Sequence, residues 1–223
     1  MTAGGRGLFI TLEGPDGGGK STQAARLTER LRARGVPVVF TREPGGTPVG
    51  EALRQIILDP RNDLAGETEV LLYAASRAQN VEQVIRPALA EGKVVLAERF
   101  VDSSLAYQGY ALGRGIEAVR QINVFATGGL VPDLTLLLDV TPEVGLSRVG
   151  ARAGGEAADR IERRRLEYHR RVREYYLMLA REEPGRVRVI PTDGRTPDEL
   201  EAELWAELAA RWPERFAKEW GEG

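Results

Sequence analysis

The stretch LFITLEGPDGGGKST, residues 8–22, decides the fold of this chain. Its first five residues are apolar or β-branched, which predicts a buried strand. Residues 14–21, GPDGGGKS, match the pattern G-x-x-x-x-G-K-[ST], and residues 23–34 then carry apolar side chains at a helical spacing. A glycine-rich loop between a strand and a helix is the setting in which this pattern binds nucleotide phosphates. The sequence therefore predicts a nucleoside triphosphate site.

The chemistry of this loop assigns roles to two side chains. Glycines let backbone N–H groups turn inward around phosphate oxygens, and the following helix N-terminus adds partial positive charge. Lys20 is expected to bridge the β- and γ-phosphates, and the Ser21 hydroxyl to ligate Mg²⁺. The predicted ATP-binding residues of the loop are Gly14, Pro15, Asp16, Gly17, Gly18, Gly19, Lys20, Ser21 and Thr22.

The composition excludes several classes of site and partner. The chain has 223 residues, 42% of them hydrophobic, and a net charge of −2, so no global charge attracts nucleic acid or a membrane. It has no cysteine and a single histidine, His169, which exclude disulfides and a multi-histidine zinc site within one chain. Residues 1–7 read as a short flexible tail without a targeting or membrane segment, and a cytoplasmic enzyme is expected.

Short apolar strands alternate with helical patterns along the whole chain. The strands are predicted at residues 8–12, 36–41, 93–97, 134–140 and 187–190, and the longer helices at 23–34, 48–58, 67–90, 116–126, 142–152 and 160–181. Apolar strands without polar alternation are typical of a parallel sheet covered on both faces. The expected fold is a single α/β domain, residues 1–223, with a parallel five-stranded sheet and helices on both faces.

Three residue pairs are candidates for binding the group that receives the phosphate. Glu98-Arg99 ends the third strand, where an acid can hold Mg²⁺ through water and an arginine can bind an acceptor phosphate. Tyr73 and Arg77 are four residues apart on one helix, so a ring and a guanidinium can meet one base. Ser104 and Gln108 have the same spacing and can read a base edge. Spacing alone does not choose the base.

Longer segments resemble a known family. TREPGGT (41–47), AASRAQ (74–79), ERFVDSSLAYQG (98–109) and PDLTLLLDV (132–140), together with the glycine-rich loop, resemble bacterial thymidylate kinase from about residue 8 to 212. The glycine-rich loop is shared by many families, and the other segments are far more specific.

The resemblance implies a P-loop kinase fold, a homodimer, and transfer of the ATP γ-phosphate to thymidylate (dTMP), giving dTDP for dTTP synthesis, with Mg²⁺. It implies that Asp16 lies near the 3′-hydroxyl and the metal, that Tyr107 disfavours a ribose 2′-hydroxyl, and that Asp193 and Gly194 border adenine. The implied substrate-binding residues are Asp16, Arg42, Arg54, Tyr73, Arg77, Arg99, Ser104, Tyr107 and Gln108.

Two positions depart from the family pattern. Glu98 stands where the family usually has aspartate, and Gly17 stands where some members carry a catalytic arginine. The catalytic arginines are therefore expected in a lid of about residues 148–162, as Arg148, Arg152 and Arg160, beside Lys20 and Arg99.

The charge pattern assigns the neighbouring basic residues to the surface. Arg163, Arg164 and Arg165 alternate with glutamates and are expected on a solvated helix face. His169 is expected to be structural or exposed, because transfer to a phosphate oxygen needs no strong base.

Three other functions compete with this interpretation. A kinase for another nucleoside monophosphate would keep the loop but change the base-reading segments. A nucleotide-dependent switch that binds partners would usually need an Asn-Lys-x-Asp segment, which this sequence lacks. An ATP-dependent nucleic-acid motor is opposed by the modest length and mild negative charge.

Overall fold

Five parallel strands form one sheet at the centre of the molecule. The computed structural model describes residues 6–153, 159–162 and 164–216. The strands are β1 (Leu8–Glu13), β2 (Val38–Arg42), β3 (Val94–Glu98), β4 (Leu134–Asp139) and β5 (Val187–Pro191). Their order in the sheet is β2-β3-β1-β4-β5, and every neighbouring pair is parallel. The predicted five-stranded parallel sheet is confirmed.

Helices cover both faces of the sheet. They are α1 (Lys20–Ala33), α2 (Pro48–Leu58), α3 (Gly66–Asn80), α4 (Arg86–Ala90), α5 (Val101–Ser104), α6 (Ile116–Thr127), α7 (Pro142–Ala153), α8 (Leu166–Glu182), α9 (Pro197–Arg211) and α10 (Pro213–Phe216). Two π-helical segments, Val81–Ile85 and Leu105–Ala111, continue α3 and α5. The strand side chains alternate between two layers: Ile10 packs with Leu27 and Leu204 on one face, and Phe9 packs with Ile85 on the other.

The sheet order places β1 between β3 and β4, so the chain crosses from one side of β1 to the other. The carboxyl ends of β1 and β3 lie side by side, with Leu12 opposite Glu98. In parallel sheets, ligands bind at such a crossing point, outside the carboxyl ends of the strands. The fold therefore brings the glycine-rich loop after β1 next to the acid–arginine pair after β3.

One predicted helix begins later than its charge pattern indicated. The helix predicted over residues 160–181 is α8, which begins at Leu166. Asp159 explains the difference, because its side chain accepts hydrogen bonds from the backbone N–H of Ile161 (2.8 Å) and Glu162 (2.9 Å). An aspartate that binds nearby backbone donors offers the chain an alternative to the helix. Residue 163 lies outside the described residues.

Apolar residues of the helices lie partly in the core and partly on the surface. Val81 and Val119 are buried in the core, whereas Leu71 on α3 is exposed. Phe125 on α6 is 92% exposed, and α3 packs against α6. No helix in the described ranges is long and apolar enough to cross a membrane.

Candidate active site

The loop between β1 and α1 is pressed against the carboxyl end of β4. Gly14 has a φ of 135°, and a Cβ added there would lie 2.2 Å from the carbonyl oxygen of Leu138. Only glycine fits such a close backbone approach in that conformation. Helix α1 begins at Lys20, directly after the loop, so its first N–H groups point toward the space that the loop surrounds.

Lys20 lies folded back into the loop. Its ammonium donates to the carbonyl oxygens of Gly14 (2.9 Å) and Pro15 (2.8 Å). Burial, followed by the nearby Arg99, lowers the pKa of Lys20 to about 8. A phosphate beside this ammonium would offset both effects, since an anion favours the charged form.

Two of the predicted metal-binding residues are in direct contact. The Ser21 hydroxyl donates to Glu98 Oε1 at 2.8 Å, so the longer glutamate side chain reaches the serine in the first turn of α1. A hydroxyl and a carboxylate side by side suit Mg²⁺, which binds proteins through few oxygen ligands and completes its shell with phosphate and water. No cluster of three or more His, Asp or Glu residues suited to a metal occurs in the part of the chain that the structure describes.

Asp16, the third predicted metal-binding residue, is engaged elsewhere. Its carboxylate accepts hydrogen bonds from Arg99 and from the Tyr107 hydroxyl (2.9 Å). Burial disfavours its charged form, but the charges of Arg99 and Lys20 outweigh burial and hold its pKa below the usual value. Asp16 thus positions Arg99, the arginine that directly follows β3.

Arg99 has a strained backbone. Its φ of 68° lies in the left-handed region, which a residue other than glycine adopts only when its surroundings hold it there. The guanidinium donates to Gly14 O (3.3 Å), Ser103 Oγ (3.1 Å) and Tyr107 Oη (3.2 Å). These contacts aim it at the space between the loop and the predicted base-reading residues.

One cavity of about 220 Å³ opens beside Lys20, Ser21 and Glu98. All nine residues predicted to bind the substrate line it, although they come from six separate segments of the chain. They are Asp16, Arg42, Arg54, Tyr73, Arg77, Arg99, Ser104, Tyr107 and Gln108. The structure thus brings the donor loop and the predicted acceptor residues around one volume.

Arg77 is the most enclosed of these residues, with only 1% of its surface exposed. Its guanidinium donates to Glu43 (2.7 Å), Ser104 Oγ (2.9 Å), the carbonyl oxygen of Phe100 (2.9 Å) and Asn123. A guanidinium has five N–H donors, and partners in the described chain account for four of them. One donor on Nη2 therefore remains for a ligand.

The sequence is similar to proteins of one known family over most of its length. The thymidylate kinase family model matches residues 12–203. The chain belongs to the thymidylate kinase family. The thymidylate kinase of Deinococcus radiodurans is 52% identical over 206 residues, covering 92% of this chain and 98% of that protein. That of Lactobacillus helveticus is 47% identical over 95% of this chain and all of that protein.

A solved structure extends the likeness to three dimensions. The crystal structure of thymidylate kinase from Ehrlichia chaffeensis superposes with a TM-score of 0.74 at 31% identity, covering 92% of this chain and 99% of the other. The P-loop kinase fold expected from the sequence is confirmed.

Close packing against α7 explains why this chain has Gly17 where some family members carry an arginine. Gly17 has a φ of 77°, and a Cβ added there would lie 2.2 Å from the carbonyl oxygen of Gly145 on α7. An arginine at this position would require α7 to move. Arg148, one turn further along α7, instead donates to Gly17 O (3.3 Å) and Thr192 O (3.0 Å), so it contacts the P-loop from outside.

Arg160 and Arg164 do not have the surroundings that their sequence predicted. Arg160 donates to the carbonyl oxygen of Ile57 on α2 (2.8 Å) and to Glu69 on α3 (2.5 Å), so its guanidinium is engaged with these two helices. The expectation that Arg164 is solvated on a helix face is wrong, because Arg164 precedes α8 and binds the buried Glu69 at 2.6 Å. Arg165 is exposed at the start of α8, and Arg163 lies outside the described residues.

Asp193 and Gly194, the residues predicted to border adenine, lie beside the carboxyl end of β4. Asp193 and Gly194 follow β5, where the Asp193 carboxylate accepts from the backbone N–H of Thr141 (3.3 Å). The side chain of Arg152 and residues 154–158 of the predicted lid lie outside the described residues. His169 is buried, as one alternative for it proposed, with Nδ1 4.0 Å from Asp16, and burial lowers its pKa.

Three buried glutamates were not predicted from the sequence, although they hold the residues of the site in place. Glu13 ends β1 and accepts from Phe100 N–H, Ser103 Oγ (both 2.6 Å) and Tyr176 Oη (2.7 Å). Glu43 follows β2 and holds Arg77, and Glu69 on α3 holds Gln108. The spacing of four between Glu69, Tyr73 and Arg77 was the signal that could have marked Glu69.

Proposed function

We propose that this chain phosphorylates thymidylate in the cavity between its P-loop and the residues after β3. The reaction moves the γ-phosphoryl group of ATP to thymidylate, giving dTDP and ADP, and serves dTTP synthesis. The observation that carries the proposal is the single cavity that Lys20 and Ser21 share with all nine predicted acceptor residues. In such a space both substrates can be held in line for direct transfer.

The donor half holds ATP through the loop backbone and Lys20. On binding, the Lys20 ammonium exchanges its two carbonyl contacts for the β- and γ-phosphates, where negative charge spreads during transfer. Asp193 and Gly194 are proposed to border adenine. Because the reaction is direct, its rate depends on positioning and charge neutralisation, with no covalent enzyme intermediate.

The acceptor half holds thymidylate at both ends. Arg99 binds its 5′-phosphate, with Arg42 and Arg54 beside it, and Asp16 and Tyr107 hold the Arg99 guanidinium in place. Tyr73 stacks on the base, and the remaining N–H of Arg77 donates to the 4-carbonyl. Ser104 and Gln108 contact the pyrimidine edge, and Tyr107 packs against the sugar.

Mg²⁺ is the expected cofactor, and Ser21 with Glu98 would hold it beside the phosphates. When bound, it neutralises charge on the β- and γ-phosphates. Asp16 is a less direct candidate, because its oxygens already accept from Arg99 and Tyr107. Glu98→Ala should raise the Mg²⁺ concentration needed for half-maximal rate, and an unchanged requirement would remove Glu98 from the site.

A lid of about residues 148–162 is proposed to supply further arginines. Arg148 already contacts the P-loop, and Arg160 must leave Glu69 to reach the phosphates. The role proposed for Arg152 rests on sequence alone. Arg148→Ala and Arg160→Ala should each lower kcat more than they raise the KM for ATP, and the opposite pattern would assign them to ground-state binding.

The chain is proposed to form a single kinase domain, and two copies of it are proposed to form a homodimer. It is supported by the exposed Leu71 on α3 and Phe125 on the adjoining α6. Phe125→Asp should convert a dimer to a monomer in sedimentation velocity, and a wild-type monomer would reject the assignment. The proposed cytoplasmic location and the absence of nucleic-acid and membrane partners rest on the sequence, and cell fractionation tests the location.

The decisive experiment is an acceptor panel. ADP formation is measured with ATP and Mg²⁺ against thymidylate, deoxyuridylate, cytidylate, uridylate, adenylate, guanylate and shikimate. A clear preference for thymidylate supports the proposal. Turnover of another acceptor with thymidylate inert would leave a kinase with a different substrate. Nucleotide binding without acceptor-dependent turnover would favour the switch.

A further inference from the structure

Glu69 joins the predicted base reader to two arginines. It is fully buried on α3, and its Oε1 accepts a hydrogen bond from Gln108 Nε2 at 2.9 Å. Its other oxygen, Oε2, accepts from Arg160 (2.5 Å) and Arg164 (2.6 Å). In the proposed mechanism Glu69 serves only as a partner of Arg160.

The two arginines determine what Glu69 can offer to Gln108. Arg160 and Arg164 both donate to Oε2, so both oxygens of Glu69 act as hydrogen-bond acceptors: Oε2 toward the two guanidinium groups and Oε1 toward Gln108. Gln108 must therefore turn its NH₂ group toward Glu69. The two ends of the amide differ in hydrogen-bonding sense, so its acceptor, Oε1, is the end available to a ligand in the cavity that Gln108 lines.

We propose that Glu69 is a positioning residue that sets the pyrimidine specificity, by fixing Gln108 so that its Oε1 accepts from the N3–H of the base. Thymine and uracil carry a hydrogen on N3, whereas cytosine presents a lone pair there and would meet an acceptor. The inference rests on the proposed function, in which Gln108 contacts the pyrimidine edge.

Arg77 makes the pattern complete. Its remaining N–H is a donor suited to the 4-carbonyl of thymine, next to the acceptor that Gln108 presents. A donor beside an acceptor matches a 4-keto pyrimidine and opposes the 4-amino group and N3 of cytosine. A buried site that leaves polar groups unpaired with the wrong ligand discriminates strongly.

Glu69→Gln tests the inference. The new amide can donate as well as accept, so Gln108 is free to turn around. We expect the ratio of kcat/KM for thymidylate to that for deoxycytidylate to fall about tenfold. This is the effect expected when one hydrogen bond no longer distinguishes the two bases. Deoxyuridylate has the same N3–H and 4-carbonyl as thymidylate, so its kcat/KM should change in parallel with that of thymidylate.

Glu67→Gln is the matched control, because it makes the same change on the same helix at a side chain that is 70% exposed. It should leave the ratio unchanged. Glu69→Asp is the second variant: it keeps the charge between the two arginines but withdraws the carboxylate from Gln108, so the ratio should fall again. If Glu69→Gln does not fold, the inference can still be tested with Glu69→Asp.

The outcomes separate the inference from the function beneath it. If both variants lower the rates for all three acceptors equally, Glu69 has only a structural role and the inference is overturned. Gln108→Met should reproduce the loss of discrimination, and combining it with Glu69→Gln should add nothing, since both act through one amide. If the wild type does not phosphorylate thymidylate, the proposed function fails first, and the inference fails with it.

Discussion

The donor and acceptor ends of the cavity are built in different ways. The donor end comes from eight consecutive residues, 14–21, whose backbone forms the binding surface. The acceptor end comes from side chains on separate elements, and buried glutamates hold two of its base-reading residues: Glu43 holds Arg77 and Glu69 holds Gln108. A local motif therefore describes the first end, whereas the second depends on contacts between residues far apart in the chain.

The difference has an energetic consequence. Removing one partner of a buried ion pair leaves an uncompensated charge in the interior, which costs far more than losing an exposed pair. Substitutions at the acceptor end should therefore change both stability and activity. Substitutions at the donor end should change activity with little loss of stability.

The largest effect is expected for Glu43→Ala. It leaves the buried Arg77 guanidinium without its carboxylate, so the free energy of unfolding should fall by about 3–5 kcal/mol. Glu51→Ala, which removes an exposed glutamate paired with Arg42, should cost less than about 1 kcal/mol. Urea unfolding of both variants measures the difference. Equal losses would show that burial of the ion pair, on which the contrast between the two ends depends, adds no cost.

The second expected effect is at the donor end. Lys20→Met should lower kcat by about 10²–10³-fold, because it removes a charge aimed at the transferring phosphoryl group. Its melting temperature should not fall, since it also removes an ammonium whose burial is unfavourable. Lys93→Met, at a partly exposed lysine, serves as the control and should change neither quantity. A large loss of stability in Lys20→Met would erase the contrast with Glu43.

The third effect is a proton taken up on ATP binding. In the free protein the pKa of Lys20 is about 8, below the usual value, so at about pH 9 this side chain is mostly neutral. Phosphate oxygens favour the ammonium, and binding should therefore draw up to about one proton from solution at that pH. At about pH 6.5 Lys20 is already charged and contributes no uptake.

Calorimetry in two buffers of different ionisation enthalpy measures the number of protons taken up. Lys20→Met should abolish the uptake. The same pKa has a linked effect on stability: between about pH 8 and 10.5 the unfolded chain binds more protons at Lys20 than the folded one, so this group raises stability as the pH rises. Uptake at about pH 6.5 but none at about pH 9 would contradict the assignment.

The difference between the two ends also determines how much of the site could be predicted from the sequence. The P-loop, the parallel sheet and the residues lining the cavity followed from local patterns and from a family resemblance that those patterns carried. The surroundings of Arg160 and Arg164 did not, because both bind Glu69, about 90 residues away, and charge alternation along one segment cannot show such a partner. Asp159 likewise binds the backbone N–H groups of Ile161 and Glu162, so the helix that the charge pattern predicts from residue 160 begins only at Leu166.

The smallest expected effect is at Tyr107, where the two ends meet. Its hydroxyl lies between Asp16 of the P-loop (2.9 Å) and Arg99 (3.2 Å), so it couples the donor loop to the acceptor phosphate. Tyr107→Phe keeps the ring that packs between Tyr168 and Tyr176 and removes only this link.

Thymidylate kcat/KM should then fall about 3–10-fold, the effect of one hydrogen bond, whereas the dissociation constant for ATP should not change. The preference for deoxyribose over ribose should persist, because it depends on the ring. Tyr110→Phe, which alters a ring outside the cavity lining, should leave all three quantities unchanged. If Tyr107→Phe raises the dissociation constant for ATP by as large a factor as it lowers kcat/KM for thymidylate, the hydroxyl contributes to the donor end. Tyr107 would then belong to both ends of the cavity.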